Sequence, residues 1–504
     1  MNCKTALIAI VFILSSTAAQ AAPTTLISRR SQKNPSNGAS SEPATSETGQ
    51  FVAFHSSATN LDGERCNNGV NHIFVSDQNT GTIRCVSLNS NGRQGDQDSL
   101  APSISADGQF VAFSSTASNL ASNKCDNGFS QIYVRDRLTG TTSCISVNSN
   151  GHEGNQHSHA PSISADMTLI AFDSAATNLA GNKCDNGFSH IFVHDLMAGT
   201  TTCVSVRTNG DEGNGDSFDP SISAEGRVVV FQSTATNLAT RCSNGNSHIY
   251  MHNLATGETS CVSVNNEGNQ SNGNSALARV SGDGRFVVFQ SDPTNFTTRC
   301  SNGFTHIFVH DTIEERTTCA SIDNHGNQGN NDSMQPSISS DGRFVAFSSA
   351  ASNLTGNRCV NGNVQVFVRD RADEETKCAS IGPKNVEGNN GSINPSISAN
   401  GTLVTFESDS NNLVKKDTNG LRDVFGHGIS ISKSNGGSSF TIIFDLLQLG
   451  DITICIRLES CASISEQAPG ENPMTSVATF RNRLGRFSAL KLAGTINDRQ
   501  ENHQ

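Results

Sequence analysis

The chain has 504 residues, 35% of them hydrophobic and only 16% charged, with 44 glycines, no tryptophan and a formal net charge of -12. That balance excludes a coiled coil and a charge-rich disordered chain, and the acidity argues against a phosphate-backbone partner, which needs a basic face. A β-rich, turn-rich chain is left, long enough for one large ring fold or two to three ordinary domains.

Residues 1–21 read as a signal peptide. Lys4 gives the positive start, an apolar run covers about Ala6 to Leu14, and Ala19-Gln20-Ala21 forms a small-x-small cleavage site. The run is too short for a stable membrane span. Cys3 precedes it, whereas a lipoprotein cysteine would follow it. No later stretch is long and apolar enough to anchor the chain, so the expectation is a secreted or periplasmic protein with no membrane span.

From residue 22 to 434 the chain is a repeat. PSISADGQFVAFSS from Pro102 recurs with small changes from Pro161, Pro220, Pro336 and Pro395; ARVSGDGRFVVFQS from Ala278 and PATSETGQFVAFHS from Pro43 complete seven copies. The starts lie 58 or 59 residues apart. Each copy predicts four strands. Strand A is the SIS segment, and an Asp-Gly turn leads to strand B, such as Gln109 to Ser115. A long polar loop precedes strand C, such as QIYVRD from Gln131, and the Thr139-Gly140 turn opens strand D. Strand B is apolar on both faces, with Phe110 and Ala112 on one and Val111 and Phe113 on the other, which places it between two packed sheets. Four-stranded antiparallel sheets in such a series stack as a ring. Thr24 to Ser28 aligns with Thr201 to Ser205, a lone strand D at the start of the chain, while the last repeat supplies A, B and C and ends near Phe425. The expected fold is an all-β, seven-bladed propeller closed by an N-terminal outer strand, with Ile429 to Ser432 as a competitor for that slot.

The S-x-S-A-D-G-x-x-V-A-F and I-F-V-x-D-x-x-T-G segments resemble the TolB-like β-propeller repeats of exported bacterial proteins, over roughly residues 24 to 434. The resemblance implies a periplasmic propeller that acts through protein partners. The long cysteine-bearing loop departs from the shorter TolB repeat, so no Tol-system role follows from it.

Twelve of the 15 cysteines form six pairs, each 19 residues apart: Cys66/Cys85, Cys125/Cys144, Cys184/Cys203, Cys242/Cys261, Cys300/Cys319 and Cys359/Cys378. One member lies in the B–C loop and the other on strand D. Bonds within a repeat compete with bonds to the next repeat. The closing blade has Asp417 and Leu26 at the two positions, both cysteines missing together, so within-repeat pairing leaves no orphan. Zinc binding lacks any C-x-x-C spacing. Cys455 and Cys461 form a candidate seventh pair.

No G-x-S-x-G, H-E-x-x-H, P-loop or dinucleotide fingerprint is present. His152-Glu153 followed by His157 and His159 is one residue too long for a zincin helix and lies in an inter-blade link. His72, His190, His248 and His306 recur at the start of strand C, with Gln131, Gln365 and Asp423 in the same place elsewhere; a hydrogen-bond cap is the expected role. Asp98, His157, Asp216, Asn274 and Asp332 share one position in the D–A link, on the face where propellers bind ligands. They are either a polar ring for a cation, basic peptide or sugar, or local bonds that fix the link, and the second is favoured. Asp417, Asn419 and Asp423 alternate oxygen ligands around Gly420 in the manner of short calcium loops, making calcium the one candidate cofactor. Residues 435–504 do not match the repeat. The expectation is a monomeric binding or scaffold module for a protein, peptide or glycan, not an enzyme; the alternative is an extracytoplasmic enzyme acting on glycans.

Overall fold

The computed structural model describes residues 23–429 apart from 32, 33, 64, 122, 123 and 416, together with two short strands, Thr441–Ile443 and Arg457–Glu459, which pair antiparallel. The expected signal peptide and Cys455/Cys461 lie outside the described residues. Seven four-stranded antiparallel sheets follow one another. In blade 2, for example, strands A to D are Ser99–Ile104, Phe110–Ser115, Gln131–Asp136 and Thr141–Cys144. The seventh sheet has strands Ser392–Ile397, Leu403–Ser408 and Asp423–Gly428, and its outer strand is Thr25–Leu26 from the start of the chain. Strand C thus runs three residues beyond the expected end at Phe425.

The N-terminal strand takes the closing slot. Leu26 pairs with Phe425 and packs among Phe344, Val366 and Phe406, which joins blades 6 and 7. Ile27 packs with Val424, Val52 and Phe54, which joins blade 7 to blade 1. Ile429 instead donates its main-chain N–H to Thr402.

Strand B is buried on both faces, as its composition predicts: Val111, Ala112 and Phe113 have no exposed surface. One aromatic pair per blade stacks across strands B and C, from Phe54–Phe74 to Phe406–Phe425. The first serine of strand A and the last of strand B are buried and bonded together in every blade, as in Ser99 to Ser115 at 3.0 Å, so each hydroxyl is satisfied where water cannot reach it. The A–B turn needs its glycine. Gly108 has φ +74°, and a Cβ there would lie 2.2 Å from the Phe51 ring of the preceding blade. Six disulfides are all within a repeat, with Cα separations of 6.2 to 6.4 Å. They tie the B–C loop to strand D and indicate an oxidising compartment. Among the described residues no helix is long and apolar enough to cross a membrane.

Candidate functional site

Strand A lines the axis, and in every blade its pairing with strand B shifts by a bulge. Six of the seven bulges precede a proline, which cannot donate to the ladder. The bulge residue has a left-handed backbone: Glu42, Ala101, Ala160, Asp219, Leu277, Gln335 and Asn394 all have φ between +46° and +55°. Such a conformation is costly for a residue with a Cβ and tends to occur at working sites. All seven line an axial cavity of about 410 Å3, within the range of small-ligand sites.

In four blades the main-chain N–H of the bulge residue is met by a side chain on strand B of the preceding blade. Gln232 accepts from Leu277 at 3.1 Å, Gln290 from Gln335 at 2.9 Å, Glu407 from Glu42 at 2.7 Å and Asp173 from Asp219 at 3.4 Å. Both positions differ from blade to blade: the strand B position holds His55, Ser114, Asp173, Gln232, Gln290, Ser348 and Glu407.

The variation builds two polar corners. Between blades 7 and 1, Glu407 receives Arg422 at 3.2 Å and Asn394 at 3.0 Å, and Glu42 accepts the Ala101 N–H at 3.0 Å. His55 Nδ1 is 3.2 Å from Glu42 Oε2, and its approach holds that carboxyl below the usual range. The alignment is poor, however, and Nδ1 lacks a well-formed hydrogen bond. Across blades 3 to 5, Asp173 is only 5% exposed; burial, and then the negative charge of Asp219, push its pKa up to about 7. Arg279 completes this corner. Five blades have a serine in its place, whose Oγ accepts an N–H from strand A of the next blade, as Ser162 does from Ile222 at 3.1 Å. Blade 5 puts a guanidinium into the cavity instead. Solvent reaches Arg279, but protein encloses it; that enclosure lowers its pKa and Asp219 raises it.

The link residues singled out in the sequence cap backbone. Asp98 accepts the Asn71 N–H at 2.7 Å, His157 Nδ1 that of Ser130 at 3.0 Å, Asp216 that of Ser189 at 2.8 Å, Asn274 that of Ser247 at 3.1 Å and Asp332 that of Thr305 at 2.8 Å. The recurrent strand C histidines bridge loop to strand D: His72 meets Asn68 Oδ1 at 2.7 Å and Ser87 Oγ at 2.9 Å. Burial holds His72, His248 and His306 down at about 4, leaving them uncharged at neutral pH. Cys66, His72 and Cys85 bring possible metal-ligand atoms within 4.8 Å of one another, but the two sulfurs are joined and both ring nitrogens are bonded.

In the closing blade, Asp423 accepts Ser28 Oγ at 2.6 Å, Ser36 Oγ at 2.8 Å and Asn419 Nδ2 at 2.7 Å, and so holds the incoming N-terminal segment. Asp417 is 8% exposed and its Oδ1 has no partner; burial, and then Asp423, push its pKa up to about 6. Asn419 turns its amide nitrogen, not its oxygen, to Asp423, and its Oδ1 accepts the Leu421 N–H. The three residues expected to bind calcium are therefore together, with one carboxylate oxygen uncommitted.

No protein-family profile matches the chain, and no curated protein does. Solved structures similar to it include an oligogalacturonate lyase in complex with manganese, 11% identical at a TM-score of 0.49, covering 81% of this chain and 97% of that one. TolB from Acinetobacter baumannii is 16% identical at 0.37, covering 71% and 76%. The propeller domain of the Trilobed protease from Pyrococcus furiosus is 12% identical at 0.49, covering 79% and 99%. The likeness is one of fold, that of a β-propeller with seven four-stranded blades. The expectation that the chain is not an enzyme is corrected: an enzyme and a protease domain stand among these propellers. A search for local motifs misses a site assembled from several blades.

Proposed function

We propose that the chain is an exported enzyme acting on a glycan held in the axial cavity, with Asp173, Asp219 and Arg279 at the reacting end. The observation that carries this reading is Arg279 itself: it stands where five blades use a serine to lock neighbouring strands, and it lines the cavity together with Asp219, whose charge acts on it. Chemistry at a glycosidic linkage needs a carboxyl that keeps a proton near neutral pH, and burial beside Asp219 gives Asp173 that property. Arg279 would meet an anionic substituent or the charge that develops on a leaving oxygen. Gln335, Asn394 and Glu42 supply polar groups around the rest of the ring, suited to sugar hydroxyls. Export to the periplasm or beyond fits the six disulfides.

The test is a panel of neutral and acidic polysaccharides, with new chain ends measured. Asp173→Asn and Arg279→Ala are each expected to cut product formation by about a hundredfold or more, with the fold intact by circular dichroism. Wild-type turnover in both variants would sink the assignment. Binding without any product, in the wild type, would leave a glycan-binding module on the same cavity.

A further inference from the structure

We infer that a stacking track on blades 2 and 3, made of Phe129, His157 and His159, holds the sugar units of a longer glycan outside the axial cavity. The proposal rests on the glycan reading of that cavity. Phe129 follows the Asn127-Gly128 turn of the B–C loop, and its ring meets His157 edge to face, with centroids 5.0 Å apart. His157 in turn stacks on His159 at 5.7 Å and 12° between planes. His159 pairs with Asp173 across strands A and B, so the row of rings leads from the loop to the reacting corner.

Blade 3 departs from its repeats at both histidines. Four other blades do the capping at the His157 position with aspartate or asparagine, so capping alone does not call for an imidazole. Accepting the Ser130 N–H uses the Nδ1 lone pair, which places the ring proton on Nε2. At the His159 position the neighbouring blades have Leu100 and Phe218, 38% and 37% exposed, which widen the apolar rim on either side. Both histidines are exposed as well. The CH-rich face of a sugar ring is apolar, and covering it with an aromatic face removes both from water while leaving the hydroxyls free to bond. The continuity of the row with the cavity favours a chain that threads in over a separate ligand.

The test measures affinity for oligosaccharides of increasing length, using wild type, Phe129→Ala, His157→Asp and His159→Ser. His157→Asp keeps the cap used by other blades, and Ser41 occupies the His159 position in blade 1, so both variants should fold. Affinity should rise with length in the wild type. Each variant should lose about three- to tenfold of that rise, the scale of one ring contact, with short-chain affinity and melting temperature unchanged. A length-dependent gain that survives in all three variants overturns the track. So does short-chain binding in the wild type with no gain from length, or a gain seen with unglycosylated peptides in place of sugars. If the wild type binds no oligosaccharide of any length, the cavity reading fails and the track goes with it.

Discussion

Replacing Asp173 with asparagine should make the propeller more stable at pH 8 and leave it nearly unchanged at pH 4. The carboxyl has its ordinary value of 3.8 in the unfolded chain and about 7 in the fold, raised first by burial and then by Asp219. Between those values the folded chain binds the extra proton, so stability falls as pH climbs from about 4 to about 7 and levels off above that. A gap of roughly three units corresponds to about 4 kcal/mol at about 1.4 kcal/mol per unit. Asparagine carries no charge to desolvate, and its Oδ1 can still accept the Asp219 N–H. The assay is denaturant unfolding at pH 4, 6 and 8 with disulfides intact. Other groups titrate in the same window, including Asp417 and the buried histidines, so the quantity to read is the difference between variant and wild type. Asp219→Asn should give a smaller version of the effect, because burial, the larger cause, remains. A difference that does not change between pH 4 and pH 8 would refute the reasoning.

Non-reducing peptide mapping should find Cys125 joined to Cys144, and replacing both with serine should cost on the order of 3 kcal/mol; a Cys144–Cys184 link would refute the pairing. Leu26→Ala should destabilise by about 2–5 kcal/mol, because Leu26 is buried between blades 6 and 7, and deleting residues 24–30 should add concentration-dependent association through the bared strand Asp423–Gly428. Unchanged melting and a monomeric profile would show that another segment closes the ring. Asp417 is raised in the fold, so its contribution to stability is lost as pH rises from about 4 to about 6; Asp417→Asn should raise the melting temperature above pH 6 and leave it unchanged near pH 4. Calcium tests the cation proposal at the same carboxylates. A rise in wild-type melting temperature that Asp417→Ala abolishes supports it, and chelation without effect removes it.

The ring and its staples were legible because they are written locally, once per repeat. The 58- or 59-residue period, the doubly apolar strand B and the 19-residue cysteine spacing each report contacts inside one blade; the joint absence of cysteine at Asp417 and Leu26 chose the pairing, and the match of Thr24 to Ser28 with Thr201 to Ser205 named the closing strand. The axial site was not legible in the same way. Attention went to Asp98, Asp216 and their equivalents, whose visible chemistry is spent on backbone N–H groups that only the folded loop brings near. The working candidates sat in plain view, as the changing residue before each PSIS motif, the changing residue near the end of strand B, and an arginine in a row of serines. Variation inside an otherwise repeating chain was the signal that could have found them.

What the sequence determined alone, then, is the architecture: short-range patterns of turns, apolar alternation and cysteine spacing suffice to build a blade, and seven equal blades close on themselves. What only the tertiary structure decided is which side chains share the axis. The bulge before each proline forces a left-handed residue and sets its side chain toward the cavity. Asp173, Asp219 and Arg279 come from three successive repeats. A carboxyl in one strand acquires its buried, proton-holding character from a neighbouring blade, and no local pattern encodes that, because burial and charge proximity are properties of the assembled ring.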